Sequence, residues 1–385
     1  LLTLQILNRD SVLKLYERLE SLVDKLPGGM QKPILRELVP LRELFLEQRP
    51  ARLLLVGGAL QTTAPALLHF LCGEPVQTGD ADDGWRWYEL GDRGRIEVLD
   101  ARADTPDETV QAALAARRVD AIVFLRGSMD AADGFEGAFE TACARVALAD
   151  GAAESESSPN GRPGLVALNF GEADESTRAR LSALLHSRRD LVQRQVTVLN
   201  ATPDQGSVAA EALCTCLPNG AKLEFARLTL ARGAQAHIAS TLLKSFTAVC
   251  GVIGVQPIPL ADMPILTTLQ SLLVGLIVYV SGRRVSARLI AEFVGALGFN
   301  IGAGFVFREG ARALLKIFPV WGNAISGIIA GAGTYAVGRA AIAYFIEDLP
   351  LQETKKLFRK LQPGLNSFKE RALPSGRGEE ASKEE

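Results

Sequence analysis

The chain has 385 residues, 48% of them hydrophobic and 22% charged, which supplies a large core, excludes global disorder and leaves room for two or three domains. Against 44 acidic residues stand 42 basic ones, a net charge of −2, which removes the electrostatic case for nucleic acid as a main partner. The mean hydropathy is slightly positive, so the placement of the apolar residues becomes the first question.

The opening "LLTLQILNRDSVLKLYERLE" has no basic n-region and no small-residue cleavage site, and is not expected to be a signal peptide. Residues 1–50 read as a helical lead. "SVLKLYERLESLVDKL" spaces Val12, Leu13, Tyr16, Leu19, Leu22 and Val23 by threes and fours, an amphipathic stripe. "PGG" at 27–29 breaks it, and "PILRELVPLRELFLEQ" supplies a second helix with a kink near Pro40.

Residues 51–220 alternate short apolar runs with helical patterns. "RLLLVG" (52–57), "RIEVLD" (95–100), "DAIVFLRG" (120–127), "GLVALNF" (164–170) and "QVTVLNA" (195–201) predict buried strands of a parallel sheet. "DETVQAALAARR" (107–118), "FEGAFETACARVALA" (135–149) and "ESTRARLSALLHSRRDLVQ" (175–193) predict helices covering both faces, and "DGAAESESSPNGRPG" (150–164) a polar surface loop. Only Cys214 and Cys216 of the five cysteines lie close, as "CTC", and the three histidines form no ligand spacing, so core thiols in a reducing cytosol are expected.

Residues 221–346 change character. No charge occurs between Asp262 and Arg283 or between Lys316 and Arg339, and the stretches 263–282 and 317–338 approach the roughly 20 residues of a membrane-spanning helix. Prolines and glycines interrupt both. The remainder, 347–385, is a polar tail ending "SGRGEEASKEE".

Chemistry is concentrated in "RLLLVGGALQTTAPALLHFLCGEPV" (52–76), a strand, a glycine turn and a helix. In the phosphate loop G-x-x-x-x-G-K-[ST], counted from Gly57, Thr62 takes the second glycine position, Thr63 the lysine and Ala64 the hydroxyl residue. Read alone, Gly57 and Gly58 simply turn a strand into a helix. In its order of parts, however, the segment resembles the opening of a translation-factor-class GTPase domain.

Three further segments resemble that class. "IEVLDARADTPDE" (96–108) resembles the D-T-P-G segment, with Asp100 as the magnesium-side carboxylate and Ala101, Arg102 and Ala103 in place of the rest; a literal "DTPD" at 104–107 leaves a second register open. "LVALNFGEAD" (165–174) resembles the base-reading N-K-x-D segment, where Asn169 matches, Phe170 replaces lysine and Glu172 replaces aspartate. "VLNAT" (198–202) resembles the last base-contacting loop through Ala201. The resemblance implies a P-loop GTPase-like α/β fold, a parallel sheet with helices on both faces. It also implies a largely vestigial nucleotide site at Gly57, Gly58, Thr62, Thr63, Asp100, Asn169 and Ala201.

Losing one charge-stabilising donor costs about 3–4 kcal/mol of transition-state stabilisation, and this loop lacks both lysine and hydroxyl. Pro65 further removes an amide from the helix start. No catalytic residue and no cofactor are therefore expected, GTP and magnesium entering only if the degenerate site still binds.

"GVIGVQPIPLADMPILTTLQSLLVGLIVYVSGRR" (251–284) and "LLKIFPVWGNAISGIIAGAGTYAVGRAAIAYF" (314–345) resemble the GTPase-associated helical domain of the bacterial YcjF-like family, from about Ala236 to Phe345. The resemblance implies an all-α apolar domain at the cytoplasmic face of the inner membrane. Two apolar hairpins, with turns at 256–264 and 318–323, carry small-xxx-small spacing at Gly298/Gly302 and Gly327/Gly331. Arg283, Arg284, Arg288 and Arg339 flank the apolar runs as cytoplasmic anchors would. A soluble bundle of buried apolar helices is the competing expectation. Asp262 reads as a helix cap or a functional tip, Trp321 and Tyr335 as interface anchors or core. "YVSGR" and "YAVGR" (279–283, 335–339) read as a faint duplication or a coincidence.

Together these readings lead to a membrane-associated pseudo-GTPase acting as scaffold or regulator, with lipid and a GTPase of the same family, or a second copy, as partners. An active or weakly active GTP-binding protein, a membrane-remodelling protein with the α/β domain as a handle, and a soluble interaction module are the alternatives.

Overall fold

The computed structural model describes residues 31–32, 48–58, 61–102, 105–127, 132–153, 162–170, 175–187, 196–255, 262–297 and 322–361. Of the helical lead, 31–32 are helical and 48–50 are not; its other residues lie outside the described set.

Seven strands form one sheet: β1 (Arg52–Gly57), β2 (Gln77–Asp82), β3 (Trp85–Glu89), β4 (Arg95–Asp100), β5 (Ala121–Arg126), β6 (Gly164–Asn169) and β7 (Val196–Asn200). Their order is β2-β3-β4-β1-β5-β6-β7; β4, β1, β5, β6 and β7 run parallel, while β3 is antiparallel to both β2 and β4. All five predicted strands are present. Because successive side chains alternate between faces, Leu53 and Leu55 enter one core and Leu54 and Val56 the other. The first face is covered by α1 (Ala64–Cys72), and the second by α2 (Asp107–Ala116), α3 (Ala132–Ala153) and α4 (Glu175–Ser187). Helix α3 runs through residues 150–153, which the sequence assigns to a loop; 154–161 lie outside the described residues.

The β2–β3 hairpin was not anticipated. Asp83 and Gly84 both take positive φ, 51° and 81°, the two-residue turn whose twist suits a hairpin. Strand β2 ("QTGDAD") is exposed at the sheet edge and has no apolar alternation to announce it. Trp85 of β3 is fully buried and donates its Nε1–H to the Ala113 carbonyl of α2 at 2.9 Å.

Beyond β7 the chain is helical: α5 (Gly206–Cys216), α6 (Asn219–Leu228), α7 (Arg232–Val255), α8 (Asp262–Val280), α9 (Ala287–Ala296), α10 (Gly322–Phe345) and α11 (Leu351–Lys360). These helices share the core of the first sheet face: Leu67 and Leu71 of α1 belong to the same buried cluster as Leu213, Phe225, Leu242, Ile277 and Phe345. The Leu230 amide donates to the Leu71 carbonyl at 2.9 Å, stitching the two regions at the backbone. Helices α7 and α10 lie close together because small residues meet at their crossing: a Cβ added to Gly331 would stand 3.4 Å from the Thr247 carbonyl. Among the described residues one helical segment, Arg232–Gly254, is long and apolar enough to cross a membrane, and half of its apolar window is buried inside the protein.

Candidate functional site

The parallel register gathers the carboxyl ends of β1, β5, β6 and β7 at one level, where Gly57 opposes Leu125, Arg126 opposes Asn169 and Asn169 opposes Asn200. After β1 the chain passes to α1 on one face; after β4 and β5 it passes to α2 and α3 on the other. In open α/β sheets such a switch point opens a crevice outside the carboxyl ends of the strands. Six of the seven sequence-predicted nucleotide positions follow a strand end or belong to it, and Thr63 immediately precedes α1.

The turn after β1 is built from backbone. Gly57 has φ +107°, and a Cβ there would lie 2.3 Å from the Leu125 carbonyl oxygen, so no other residue fits. The Gly58 amide donates to that same carbonyl at 3.0 Å. Thr63 is the N-cap of α1: its hydroxyl accepts from the Ala66 amide at 3.3 Å. Pro65, in the first turn, offers no N–H.

The carboxylate at the end of β4 is occupied. Arg102 donates from Nε to Asp100 Oδ1 at 2.8 Å and from Nη2 to Oδ2 at 2.6 Å, and its Nη1 donates to the Thr62 carbonyl at 2.7 Å. The guanidinium is nearly buried (7% exposed) and covers a carboxylate that is 41% exposed. One side chain thus links the end of β4 to the turn before α1.

A second arginine holds the loop that follows. Arg145 of α3 is buried and donates to the carbonyls of Ala101, Arg102 (2.6 Å) and Thr105 (2.7 Å), and to Asp107 Oδ1 at 3.2 Å. The Thr105 hydroxyl donates to the Asp100 carbonyl at 2.9 Å. Its amide donates to the Arg102 carbonyl at 2.9 Å, which closes the turn.

At the other end of the row, Asn169 is buried and accepts from Arg126 Nη1 at 3.0 Å while donating to Asn200 Oδ1 at 3.0 Å. The Ala201 amide donates to the Asn169 carbonyl at 2.7 Å. Phe170 meets Phe70 of α1 edge to face, ring centroids 5.7 Å apart. Glu172 and Asp104, the first residue of "DTPD", lie outside the described residues.

These residues do not fit a magnesium-bound nucleoside triphosphate. Both oxygens of Asp100 face a guanidinium rather than a metal ion. The Gly58 amide is spent on β5 and the Ala66 amide on Thr63, and Pro65 has none; residues 59–60 lie outside the described set. Among the described residues no group of three His, Cys, Asp or Glu side chains gathers as a metal site.

The membrane candidates disperse. Asp262 is the first residue of α8, with its side chain outside the described set, as is all of Trp321. Tyr335 is 43% exposed on α10. Tyr279, its counterpart in the suspected repeat, is instead half-buried against Arg227, whose guanidinium sits 4.0 Å from the ring centroid. Gly282 ends α8 at φ +76° whereas Gly338 lies inside α10, so the two pentapeptides are not structural equivalents.

Arg126, Arg145 and Asn200 were missed as site residues. Asn200 stood within a quoted segment. Arg145 had no local signal, because only the packing of α3 brings it to the loop after β4. No protein-family model matches the chain, and none of the curated proteins matches it.

Proposed function

We propose that the protein is a nucleotide-silent GTPase-like protein, a pseudo-GTPase, whose helical region associates with a membrane and which works as a scaffold or regulator. The supporting observation is the Arg102 clasp on Asp100 and the Thr62 carbonyl. Phosphoryl transfer draws its rate from positioning and from cations on the phosphates. Here the carboxylate that would hold the metal is answered by a resident guanidinium, and the loop around it is held by Arg145. A surface braced by these hydrogen bonds suits a protein partner, such as a catalytically intact GTPase of similar fold or a second copy.

The membrane half of the reading is supported by the charge-free stretches 263–282 and 317–338 and by the arginines at their ends. A bacterial inner membrane, approached from the cytoplasm, is the location that the resemblance to the YcjF-like helical domain implies.

The test is titration of a fluorescent GTP analogue into the full chain, with and without magnesium, alongside phosphate release. The expected result is no saturable binding into the high micromolar range and no turnover. Saturable binding that Asp100→Asn abolishes would overturn the reading and restore the active GTP-binding alternative. Membrane association is tested by fractionation: the chain is expected in the membrane pellet after an alkaline carbonate wash, and its full recovery in the supernatant of untreated lysate would sink that half alone.

A further inference from the structure

We propose that the exposed face of α11 is an electrostatic docking surface for an anionic lipid bilayer; this deepens the membrane half of the reading above and rests on it. The helix "LQETKKLFRK" carries Lys355, Lys356, Arg359 and Lys360 against a single carboxylate, Glu353. Thr354 and Phe358 are buried on the side that packs against α10, which fixes the rotation of the helix. Gln352, Lys356, Arg359 and Lys360 then face solvent, with Lys355 at the boundary.

Among the described residues this face is left largely without acidic partners. Lys356 reaches Glu353 at 2.7 Å, but both side chains are more than half exposed, and such a pair is weak and easily exchanged. No described carboxylate pairs with Lys355, Arg359 or Lys360. The acidic residues just before the helix are committed elsewhere: Glu347 to Arg339 at 3.0 Å, and Asp348 to Arg283 at 2.8 Å and Arg232 at 3.5 Å. The helix dipole accounts for cations in the last turn, Arg359 and Lys360, and leaves Lys355 and Lys356 unexplained.

A cluster of four or more Lys/Arg on an amphipathic helix matches the spacing and charge of an anionic leaflet. The long apolar stems let the charged heads reach phosphate oxygens while the helix stays docked on α10. Such attraction acts within a Debye length of the surface and fades with salt.

The experiment is flotation of the full chain with vesicles of phosphatidylcholine and phosphatidylglycerol in equal parts, against vesicles of phosphatidylcholine alone, at low and high salt. Binding is expected to need the anionic lipid, to weaken at high salt, and to drop roughly fivefold for each cation removed, several hundred-fold for K355Q/K356Q/R359Q/K360Q together. Arg178→Gln, at a partly exposed arginine on α4, is expected to leave binding unchanged, and thermal melting of the quadruple variant checks that it folds. A folded quadruple variant that floats like the parent overturns the proposal. Equal flotation on neutral vesicles, insensitive to salt and to the substitutions, overturns it while leaving insertion through the apolar helices standing. Flotation with neither vesicle overturns it together with the membrane reading, and leaves the nucleotide-silent reading untouched.

Discussion

Arg145 donates from Nη1 to the carbonyl oxygen of Arg102 at 2.6 Å, so one buried arginine fixes the backbone from which another reaches Asp100 and Thr62. The two side chains act in series. The first sets the loop, and the second closes the crevice at the carboxyl end of β4 and β1.

Replacing Arg145 by Leu is therefore expected to leave the carbonyls of Ala101, Arg102 and Thr105 without their donor and to cost about 3 kcal/mol. Arg145→Lys is expected to recover only part of this, since an ammonium cannot serve several diverging carbonyls as a planar fork does. Urea denaturation midpoints of the three proteins check the order; equal midpoints would show that the loop is held by other means.

The lead-in and the helical region meet at a second buried charge. Glu224 and Arg227 of α6 pair at 2.8 Å with both side chains only 10% exposed. Gln48 bridges Glu224 and the Tyr279 hydroxyl at 2.5 and 2.7 Å. Glu224→Ala strands a buried guanidinium and is expected to cost about 3–5 kcal/mol. Adding Arg227→Met should return most of that, because the uncompensated charge leaves with it. A denaturation series on the single and double variants measures the difference, and a double variant no better than Glu224→Ala would refute the account.

Burial pushes the Cys72 thiol up to about 12, from an ordinary value of 9.0. A raised folded-state pKa means that the native chain holds a proton the unfolded chain releases. Stability from this group is complete below about pH 9 and is lost as pH climbs through the folded value. Unfolding midpoints are expected to fall from about pH 9 upward, less steeply in Cys72→Ala. An alkaline decline of identical slope in parent and variant would remove Cys72 from the explanation. At neutral pH the buried Cys72 thiol should resist thiol reagents until the chain unfolds.

Much of the fold was legible because a strand covered on both faces must be apolar along its whole length. "RLLLVG", "RIEVLD" and "GLVALN" have no other economical reading, and the observed strands coincide with them. Strand β2 escaped because an exposed edge strand needs no apolar side; the Asp83-Gly84 pair was the available sign of its hairpin. At the candidate site, the departures of Thr63 and Ala64 from the phosphate-loop pattern were plain from spacing alone.

What the amino-acid sequence by itself determined is the set of chemical groups present: which strands are buried, where the glycine turn falls and which side chains stand around it. What only the tertiary structure decided is where the remaining charges go. Arg102 reads in the chain as one more departure from a motif, and becomes a clasp only when sheet register brings Thr62 to its far side. Arg145 lies 43 residues from Arg102 and meets it through the packing of α3. The reason is physical: hydrophobic periodicity is a local property that sequence displays, whereas a buried ion must find its partner among groups that only folding brings within hydrogen-bond reach.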